Sequence, residues 1–459
     1  MPVPAAAEAR TGFGARLLAP LYLSVTLNPV NSAILATALT DIGASLGVGL
    51  AAASTLVAAL YLVSAVAQPF LGRLAERYGA RRVLLAGHLL VLAGAAVAMA
   101  APSLPWLLAA RCLIGAGTSA AYPCAMAIVR ARADERGGEV PRGVLGGLAM
   151  CNQLAVALGL AFGGVLVGAG GWRWTFAVNL PLAALAIVTT LLYVPATRGG
   201  PVRGRTALGA LDPLGVLLFT VAVTSGFLVL HAFPAPSPYA LAVCAASSVA
   251  LVAWELRAAA PFVDVRALAA TPALLWTHLR NALTYVTVYS VLYGFGAWLG
   301  SRGGYPPGTA GLLLLPISLG GAAASALAGR MRAPRLPLVL CGAATTAGAA
   351  LLALVSPGGG VALPLAVAAL FGLAMGLGAV GNQQTLYQQS PPAETASSAG
   401  LLRTSMYLGA TVSSALIAVV LGPAPTGASL RDLALIMLVL GAALTALPFA
   451  DRHLRPGPR

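Results

Sequence analysis

The sequence contains no lysine and little charge of either sign. Charged residues make up 8% of its 459 residues, and only 12 residues are acidic. Hydrophobic residues make up 59%, and the mean hydropathy is +0.88. A chain this poor in charge cannot cover a soluble globular surface, so the composition indicates a protein that lies mostly within a lipid bilayer.

Cysteines and paired catalytic groups are also scarce. The five cysteines are scattered through apolar stretches, without the spacing of a disulfide framework or a zinc site. The sequence has no phosphate-binding Walker loop, no paired carboxylates and no clustered histidines. We therefore expect neither an enzyme nor a protein with a metal or cofactor, and we expect that ATP does not drive it directly.

What the sequence does contain is a series of fourteen apolar stretches, each suited to a hydrocarbon core of roughly 30 Å. They predict membrane-spanning helices near residues 17–39, 50–70, 83–101, 104–129, 143–168, 175–194, 213–233, 239–257, 272–299, 308–329, 336–355, 361–383, 395–421 and 429–450. The predicted fold class is an all-α polytopic membrane protein. Because the number of spans is even, both termini lie on the same side.

The arginines predict the orientation. With the N-terminus in the cytoplasm, the external loops hold only Arg173, Arg302 and Arg431, whereas most of the 27 basic residues lie in cytoplasmic segments. This asymmetry is the positive-inside pattern, and it predicts a multi-pass protein of the cell membrane with both termini cytoplasmic. The net charge of +15 therefore reflects orientation, and we expect no nucleic-acid partner.

Polar interruptions divide the chain into two bundles. Residues 1–195 contain six spans, and the glycine- and arginine-containing residues 196–212 predict a cytoplasmic connector. Residues 213–257 predict two inserted helices, and residues 258–459 contain a second set of six spans. A Gly-Arg turn at Gly329–Arg335 follows the second span of that set, which suggests that the two bundles are related by duplication.

Charge is concentrated in one segment between the second and third spans, Gly72-Arg73-Leu74-Ala75-Glu76-Arg77-Tyr78-Gly79-Ala80-Arg81-Arg82. Glycines at both ends favour a tight reversal. One carboxylate among four guanidiniums can form an ion pair or cap a helix N-terminus. The pattern predicts an eleven-residue turn at the membrane surface; the alternative is an ordinary basic loop after a membrane hairpin.

This segment resembles the signature loop of the major facilitator superfamily, which links helices 2 and 3 and latches the two halves of a transporter. Gly171-Trp172-Arg173-Trp174-Thr175-Phe176-Ala177-Val178-Asn179-Leu180-Pro181 looks like the fifth-to-sixth helix junction of its fourteen-helix drug:proton antiporter family. Three further stretches are similar to the fourth-, fifth- and tenth-helix motifs of that family, namely Arg111–Gly117, Gly159–Gly164 and Ala310–Pro316. The resemblance covers essentially the whole chain.

The resemblance implies two six-helix major-facilitator bundles, here with two inserted helices, that transport a small molecule by alternating access. It implies coupling to protons and an export direction. It also implies a conformational gate formed by Gly72, Glu76, Arg77, Gly79, Arg81 and Arg82. The expected partners are a small-molecule substrate, protons and the lipid bilayer, and we expect a monomer.

Two of these motifs also have structural interpretations. Gly159, Gly163 and Gly164 form a small-residue helix face, for which close helix packing is a sufficient role. Arg111 lies about 10 Å into its span at 1.5 Å per residue. A charge there is costly and usually functional, so we predict that Arg111 faces a cavity or proton pathway, with carbonyl binding as the alternative.

Proton coupling lacks its usual carboxylate. By the resemblance, Asn31 stands where many members of the family have aspartate, and an amide cannot carry a proton. No aspartate or glutamate lies deep in a predicted span. His278 is then the candidate proton carrier, since an ordinary histidine titrates near neutrality; a satisfied core histidine is the alternative.

The ninth span carries a polar and aromatic stripe. At 3.6 residues per turn, one arc of about 120° holds His278, Asn281, Tyr285, Tyr289 and Tyr293. Lipid disfavours such a face, so the stripe predicts either a cavity wall or interhelical packing. As a cavity wall, its aromatic faces would bind large planar or cationic molecules.

Polar residues near the middle of other spans extend this candidate cavity. Asn31 lies about 20 Å along the first span, and the fifth span carries Asn152 and Gln153 at about 14 Å. Substrate sites of facilitators lie near these depths, between the two halves. The predicted substrate cavity therefore comprises Asn31, Asn152, Gln153, His278, Asn281, Tyr285 and Tyr289.

Three further features lie near the predicted cytoplasmic side. Arg403 joins Arg111 and His278 as a candidate for proton coupling or a buried charge. We expect Arg280 to extend to the lipid headgroups. The polar run Asn382–Gln389 is expected to be the end of a helix that emerges into the cytoplasm.

The leading hypothesis is a secondary transporter that exports hydrophobic or amphipathic molecules, such as drugs or secondary metabolites, by proton antiport. The alternative is an uncoupled facilitator or an uptake transporter, which the amide at Asn31 favours. A non-transporting sensor is less well supported, because the predicted loops leave no room for a sizeable soluble domain.

Overall fold

The computed structural model describes residues 13–137, 139–196, 212–232, 235–259, 261–263, 265–305, 307–331, 333–391, 394–422, 425–451 and 454. Every regular element within these ranges is a helix. The predicted connector at 196–212 lies almost wholly outside the described residues. The predicted all-α fold is confirmed.

Fourteen helices are long and apolar enough to cross a membrane, as predicted. We number them α1 (Ala15–Leu46), α2 (Leu50–Tyr78), α3 (Ala80–Met99), α4 (Leu104–Asp134), α5 (Arg142–Gly170), α6 (Trp174–Tyr193), α7 (Pro213–His231), α8 (Pro238–Glu255), α9 (Pro272–Ser301), α10 (Pro307–Ala328), α11 (Arg335–Leu352), α12 (Ala362–Gln389), α13 (Thr395–Val420) and α14 (Gly427–Ala450).

Two of the spans contain an interruption of the regular α-helix. In α4, the helices Leu104–Ser119 and Ala121–Asp134 meet at Ala120. Pro123 lies just after this break, and it has no N–H to donate to the Ser119 carbonyl. In α9, residues Ser290–Phe295 form a π-helical turn between two α-helical segments. Such turns are rare in proteins as a whole, and those that occur often lie at functional sites.

The signature segment is not an eleven-residue turn, so that prediction is wrong. Helix α2 continues through Gly72 to Tyr78, and α3 begins at Ala80. The reversal is confined to Gly79, whose φ of 92° is accessible to glycine at little cost. Only one glycine is needed for the corner, because Gly72 serves helix packing instead.

The described helices form two compact units, and the residues of α5 and α13 are divided between them. Unit 1 comprises the described residues of Met1–Val144, Leu154–Leu211 and Ser390–Thr404; unit 2 comprises those of Leu145–Gln153, Asp212–Gln389 and Ser405–Arg459. The first turns of α13 thus belong to the unit that contains α1–α4. The inserted helices α7 and α8 belong to unit 2.

The apolar core of unit 1 lies where the Trp-Arg-Trp junction meets α2 and α4. Trp172 and Phe176 pack edge to face, with ring centroids 6.1 Å apart, and both belong to a buried cluster with Leu56 and Ile114. Arg173 stacks over Trp172 at 4.2 Å and donates hydrogen bonds to the carbonyls of Met99, the last residue of α3, and Ala101. The junction motif therefore fastens one end of the unit.

The core of unit 2 is centred on aromatic residues of α9 and α12. Phe295, Trp298 and Phe371 are fully buried in one cluster with Met437. The indole Nε1 of Trp298 donates to the Thr426 carbonyl at 3.1 Å, just before α14. Phe295 and Trp298 both lie in or after the π-helical turn, so this turn positions the core.

The inserted helices α7 and α8 pack against each other and are closed by an acidic clasp at their ends. Asp212 caps α7 and accepts hydrogen bonds from Trp254 Nε1 at 2.7 Å and from the Phe262 amide at 3.0 Å. Its neighbour Glu255 accepts from the Val263 amide at 3.1 Å. The clasp ties both ends of the hairpin to the segment that leads into α9.

Candidate gating and transport sites

The carboxylate of Glu76, at the end of α2, caps the start of α13. Its Oε1 accepts hydrogen bonds from the Ser397 amide at 2.8 Å and from Ser397 Oγ at 2.9 Å. Ser397 lies in the first turn of α13, where the backbone N–H groups are unpaired and the helix dipole is positive. A carboxylate is the side chain best suited to that position.

A close approach of the two helix backbones brings Glu76 to this position. A Cβ added to Gly72 would lie 2.6 Å from the Ala396 carbonyl oxygen, and one added to Gly400 would lie 2.6 Å from the backbone of Gln68 and Pro69. Glycine is the only residue that fits at either position. Thr404 Oγ1 also donates to the Ala65 carbonyl at 2.6 Å.

The arginines of the segment stabilise the corner from outside this contact. Arg77 lies over the Tyr78 ring at 5.3 Å, and Arg81 Nη2 donates to the Leu191 carbonyl at 2.6 Å. Arg82 is exposed. The predicted gate therefore divides into two residues that contact α13, Gly72 and Glu76, and four residues that lie at the α2–α3 corner: Arg77, Gly79, Arg81 and Arg82.

A polar junction near the middle of unit 1 was not found from the sequence. Asn28 Nδ2 of α1 donates to Ser64 Oγ of α2 at 3.1 Å and to Thr118 Oγ1 of α4 at 3.0 Å. Tyr122 lies one turn after Thr118, and the Arg403 guanidinium lies 3.9 Å from the centroid of the Tyr122 ring. Single Asn, Ser and Thr residues in apolar spans are common, and no periodic pattern links these four helices.

Asn31 is buried between helices. Its side chain is 4% exposed, and Nδ2 donates to Asn179 Oδ1 of α6 at 2.6 Å and to the Leu27 carbonyl at 2.9 Å. The position that resembles the family's aspartate thus holds a neutral amide pair. A side chain engaged in this way stabilises the contact of α1 with α6.

Arg111 is fully buried in α4. Its Nε donates to the Leu56 carbonyl of α2 at 3.3 Å, and Nη2 has no hydrogen-bond partner among the described residues. The carbonyl contact agrees with the structural interpretation, whereas the unsatisfied guanidinium nitrogen leaves a donor for a further group. Arg111 therefore has features of both predicted roles.

The aromatic stripe of α9 forms a stacked ladder in unit 2. Tyr285 and Tyr289 stack with ring centroids 5.8 Å apart, and Tyr289 and Tyr293 stack at 5.5 Å. Tyr285 is buried, whereas Tyr293 is 47% exposed. The ladder thus runs from the interior of unit 2 to its surface and presents a broad aromatic face at that end.

The polar residues below the ladder are in different environments. Asn281 is buried, and its Nδ2 donates to Ser405 Oγ of α13 at 2.9 Å. His278 is half-buried, one turn closer to the start of α9. On the fifth span, Gln153 is buried near Gly321 of α10, and Asn152 is half-buried.

Arg280 does not extend to the headgroups, so that expectation is wrong. Its Nη1 donates to Asp451 Oδ2 at 2.7 Å, and both side chains are 1% exposed. Its Nη2 donates to Thr277 Oγ1 at 2.9 Å, and Thr277 lies 2.9 Å from Gln389 Oε1. The buried carboxylate of Asp451 compensates the guanidinium charge inside unit 2, which removes the reason for it to reach the lipid surface.

The first four residues of the polar run in α12 are buried, which contradicts for them the expectation of a helix emerging into solvent, whereas Gln388 near the helix end is exposed. Four consecutive side chains are 0–4% exposed, namely Asn382, Gln383, Gln384 and Thr385. Gln384 Nε2 donates to the Ala328 carbonyl of α10 at 3.4 Å. Hydropathy cannot distinguish polar groups that face water from those buried within a helix bundle.

The glycines of the fifth span have unequal surroundings. A Cβ on Gly159 would lie 2.7 Å from Ala33 Cβ of α1, and one on Gly163 would clash with Thr37 Oγ1. Around Gly164, an added Cβ would meet no described atom within 4 Å. The close approach to α1 therefore uses the first two glycines.

Fourteen helices that are long and apolar enough to cross a membrane, a signature corner that caps another helix, and a polar and aromatic stripe fit a membrane transporter. The family model for the Major Facilitator Superfamily matches residues 21–414. The chain belongs to this superfamily, and its members are transporters rather than enzymes.

Three comparisons place the chain within the family. It is 31% identical to the uncharacterized MFS-type transporter YwoD of Bacillus subtilis, with 92% of this chain and 94% of that protein covered. It is 31% identical to multidrug resistance protein Stp of Mycobacterium tuberculosis over 66% of this chain and 56% of that one. The proton:xylose symporter XylE shares the fold, with a TM-score of 0.66, 15% identity and 95% of each chain covered.

Proposed function

We propose that the protein exports amphipathic small molecules, such as drugs or secondary metabolites, across the cell membrane by alternating access and proton antiport. The observation that carries the proposal is the Glu76 carboxylate on the first turn of α13. A capped helix start held by two hydrogen bonds and two glycines is a contact that can open and re-form, as alternating access needs. The similarity to a multidrug resistance protein supports the export of drugs.

The proposed substrate contacts are the tyrosine ladder of α9 and the half-buried His278 and Asn152. Flat aromatic faces bind planar molecules without requiring one particular pattern of hydrogen bonds. Arg111 and His278 are the proposed groups for proton coupling, because one has an unsatisfied buried donor and the other has an imidazole that can bind and release a proton. The proposed unit of function is a monomer in the lipid bilayer.

Transport in proteoliposomes with an imposed pH gradient tests this proposal. A fluorescent planar dye reports substrate movement, and a trapped pH indicator reports protons. We expect dye accumulation and proton movement in opposite directions, both lost in Gly72→Leu, whose side chain cannot fit against Ala396. Dye movement that is equal in the parent and in empty liposomes would overturn the proposal, and parent-like dye movement in Gly72→Leu would overturn the role of the contact between α2 and α13.

An uncoupled facilitator or uptake transporter is the second candidate function. The neutral pair of Asn31 and Asn179 favours it, because it occupies the position at which the family resemblance would place the coupling carboxylate. In the same experiment, this alternative predicts dye movement down its own gradient without any change in the pH indicator.

A further inference from the structure

Part of the polar run in α12 lies on the side of the helix that meets α9. Gly378, Asn382 and Gln389 are four and seven residues apart, so they share one side of α12. Two contacts hold this side against α9 within unit 2. Thr277 Oγ1 donates to Gln389 Oε1 at 2.9 Å, and a Cβ added to Gly378 would lie 2.8 Å from Thr284 Cγ2.

Arg280 of α9 lies in the interval between these two contacts. It follows Thr277 by three residues and precedes Thr284 by four, on the same side of α9. Its Nη1 and Nη2 donate to Asp451 and Thr277. Its Nε is buried and has no hydrogen-bond partner among the described residues. One donor of this guanidinium therefore remains for a further group at this level.

Asn382 occupies the same interval on α12. The residue is 0% exposed, and neither Oδ1 nor Nδ2 has a hydrogen-bond partner among the described residues. Gln389 uses Oε1 to accept from Thr277, and its buried Nε2 has no partner in the described part of the chain. Buried polar groups are nearly always bonded to protein or to ordered water, because leaving them unpaired is costly. The interval therefore requires a hydrogen-bonding ligand.

Water is the ligand that fits these groups. The unpaired atoms are N–H donors of three side chains and one amide oxygen, on two helices, and water both donates and accepts. An anion is not required, because Asp451 already compensates the charge of Arg280. Water can enter from the end of α12, since Gln389 is half-buried and the preceding Gln388 is exposed.

We propose that bound water fills a chamber between α9 and α12, the hydrated chamber, which opens at the predicted cytoplasmic end of unit 2. Arg280, Asn382 and Gln389 bind the water, and the contact at Gly378 closes the inner end. The eleven residues from Gln389 to Gly378 bring water roughly 16 Å into the span. In the proposed antiport, on which this last part rests, the water passes protons between the middle of unit 2 and the cytoplasm.

Cys341 of α11 is a native reporter at the inner end of the hydrated chamber. Its Sγ lies 3.8 Å from Thr284 Oγ1 and 2.9 Å from the position of a Cβ added to Gly378. X-ray irradiation of the purified protein forms hydroxyl radicals where water is bound, and mass spectrometry locates the oxidised side chains. Cys124 of α4, 0% exposed in unit 1, is the matched control. We expect Cys341 to be oxidised at least about 10-fold faster than Cys124.

Two substitutions of Asn382 change the hydrated chamber in opposite directions. Asn382→Leu fills it with an apolar side chain of similar size and should lower the oxidation of Cys341 at least about 5-fold. Asn382→Ala enlarges it and should keep this oxidation at or above the parent level. Cys124 should be oxidised equally in all three proteins. Equal oxidation of Cys341 and Cys124 in the parent, or a change in the same direction in both variants, would overturn the hydrated chamber.

Flux measurements separate the proton role of the hydrated chamber from the proposed function. In proteoliposomes, Asn382→Leu should slow proton movement at least about 5-fold and change the Kd of the dye by less than about 2-fold. A parent-like rate of proton movement in this variant would overturn the proton role. If the parent moves no dye, the export proposal fails, and the oxidation of Cys341 still decides whether the chamber holds water.

Discussion

Arg280 and Asp451, 171 positions apart in the sequence, form an ion pair 2.7 Å long in which each side chain is 1% exposed. The pair joins α9 to the residue that follows α14, and Thr277 continues the contact to Gln389 of α12. Desolvation offsets much of the attraction between two such charges, but a single remaining charge would be uncompensated. Each side chain of the pair therefore compensates the buried charge of the other.

This relationship predicts an asymmetric response to mutation. Asp451→Leu or Arg280→Met alone should destabilise the protein by about 3–5 kcal/mol, because each leaves a buried charge without its partner. The double variant should recover most of the loss, since two apolar side chains can replace the pair. Thermal unfolding in detergent, followed by intrinsic tryptophan fluorescence, measures the effect. Additive losses in the double variant would show that the two side chains do not act as a pair.

The cap on α13 predicts a kinetic effect of Glu76. Glu76→Gln keeps an oxygen acceptor for Ser397 but removes the charge that interacts with the helix dipole, so we expect transport to fall by about 3- to 10-fold. Initial rates of dye flux in proteoliposomes measure it. The control is Glu139→Gln, an exposed glutamate before α5, which should behave like the parent. Equal rates for Glu76→Gln and the parent would show that the charge of Glu76 does not contribute to the gating contact.

The fifth-span glycines predict a position-specific packing defect. Gly159→Val should destabilise the protein by about 1–3 kcal/mol, because the new side chain meets Ala33 and Val30 of α1. Gly164→Val carries the same chemical change on the same helix and meets no described atom, so its effect should stay within about 0.5 kcal/mol. The difference in unfolding temperature between the two variants is the measurement. Equal effects would show that helix propensity, rather than the contact with α1, sets the cost.

The tyrosine ladder predicts a graded effect on substrate affinity. Tyr289→Phe keeps the stack with Tyr285 and Tyr293, whereas Tyr289→Leu removes about 0.5–1.5 kcal/mol of aromatic interaction. Dye affinity should therefore change little in the first variant and fall roughly 2- to 10-fold in the second. Tyr239, 84% exposed on α8, supplies the control as Tyr239→Leu. Parent-like dye affinity in Tyr289→Leu would argue that the ladder only packs helices.

The sequence was sufficient to predict the fourteen spans, because a bilayer imposes a minimum apolar length that composition reveals directly. It was not sufficient for contacts between distant positions. Glu76 and Ser397 are 321 residues apart, and no local pattern in either segment identifies the other as its contact. The charged signature segment predicted a gate, but its contact with α13 could be identified only from the structure.

Two of the wrong predictions have a common physical origin. Arg280 and the polar run from Asn382 to Thr385 were both expected to reach water or headgroups, because a hydropathy profile treats polarity as exposure. In the structure both are buried, and Arg280 is paired with a carboxylate beyond α14. A hydropathy profile therefore wrongly predicts exposure for polar side chains that contact one another between membrane-spanning helices.

The π-helical turn at Ser290–Phe295 has a consequence for chain length. It accommodates one residue more than an α-helix of the same length, while the helix that follows keeps its phase. Deletion of a single residue within the turn should therefore restore regular winding and leave Trp298 in contact with Thr426, whereas a deletion in the regular winding before the turn would rotate Trp298 about the helix axis by about 100°. Relatives that lack this turn should consequently show a one-residue alignment gap at this position, and chimeras joined across that gap should still assemble.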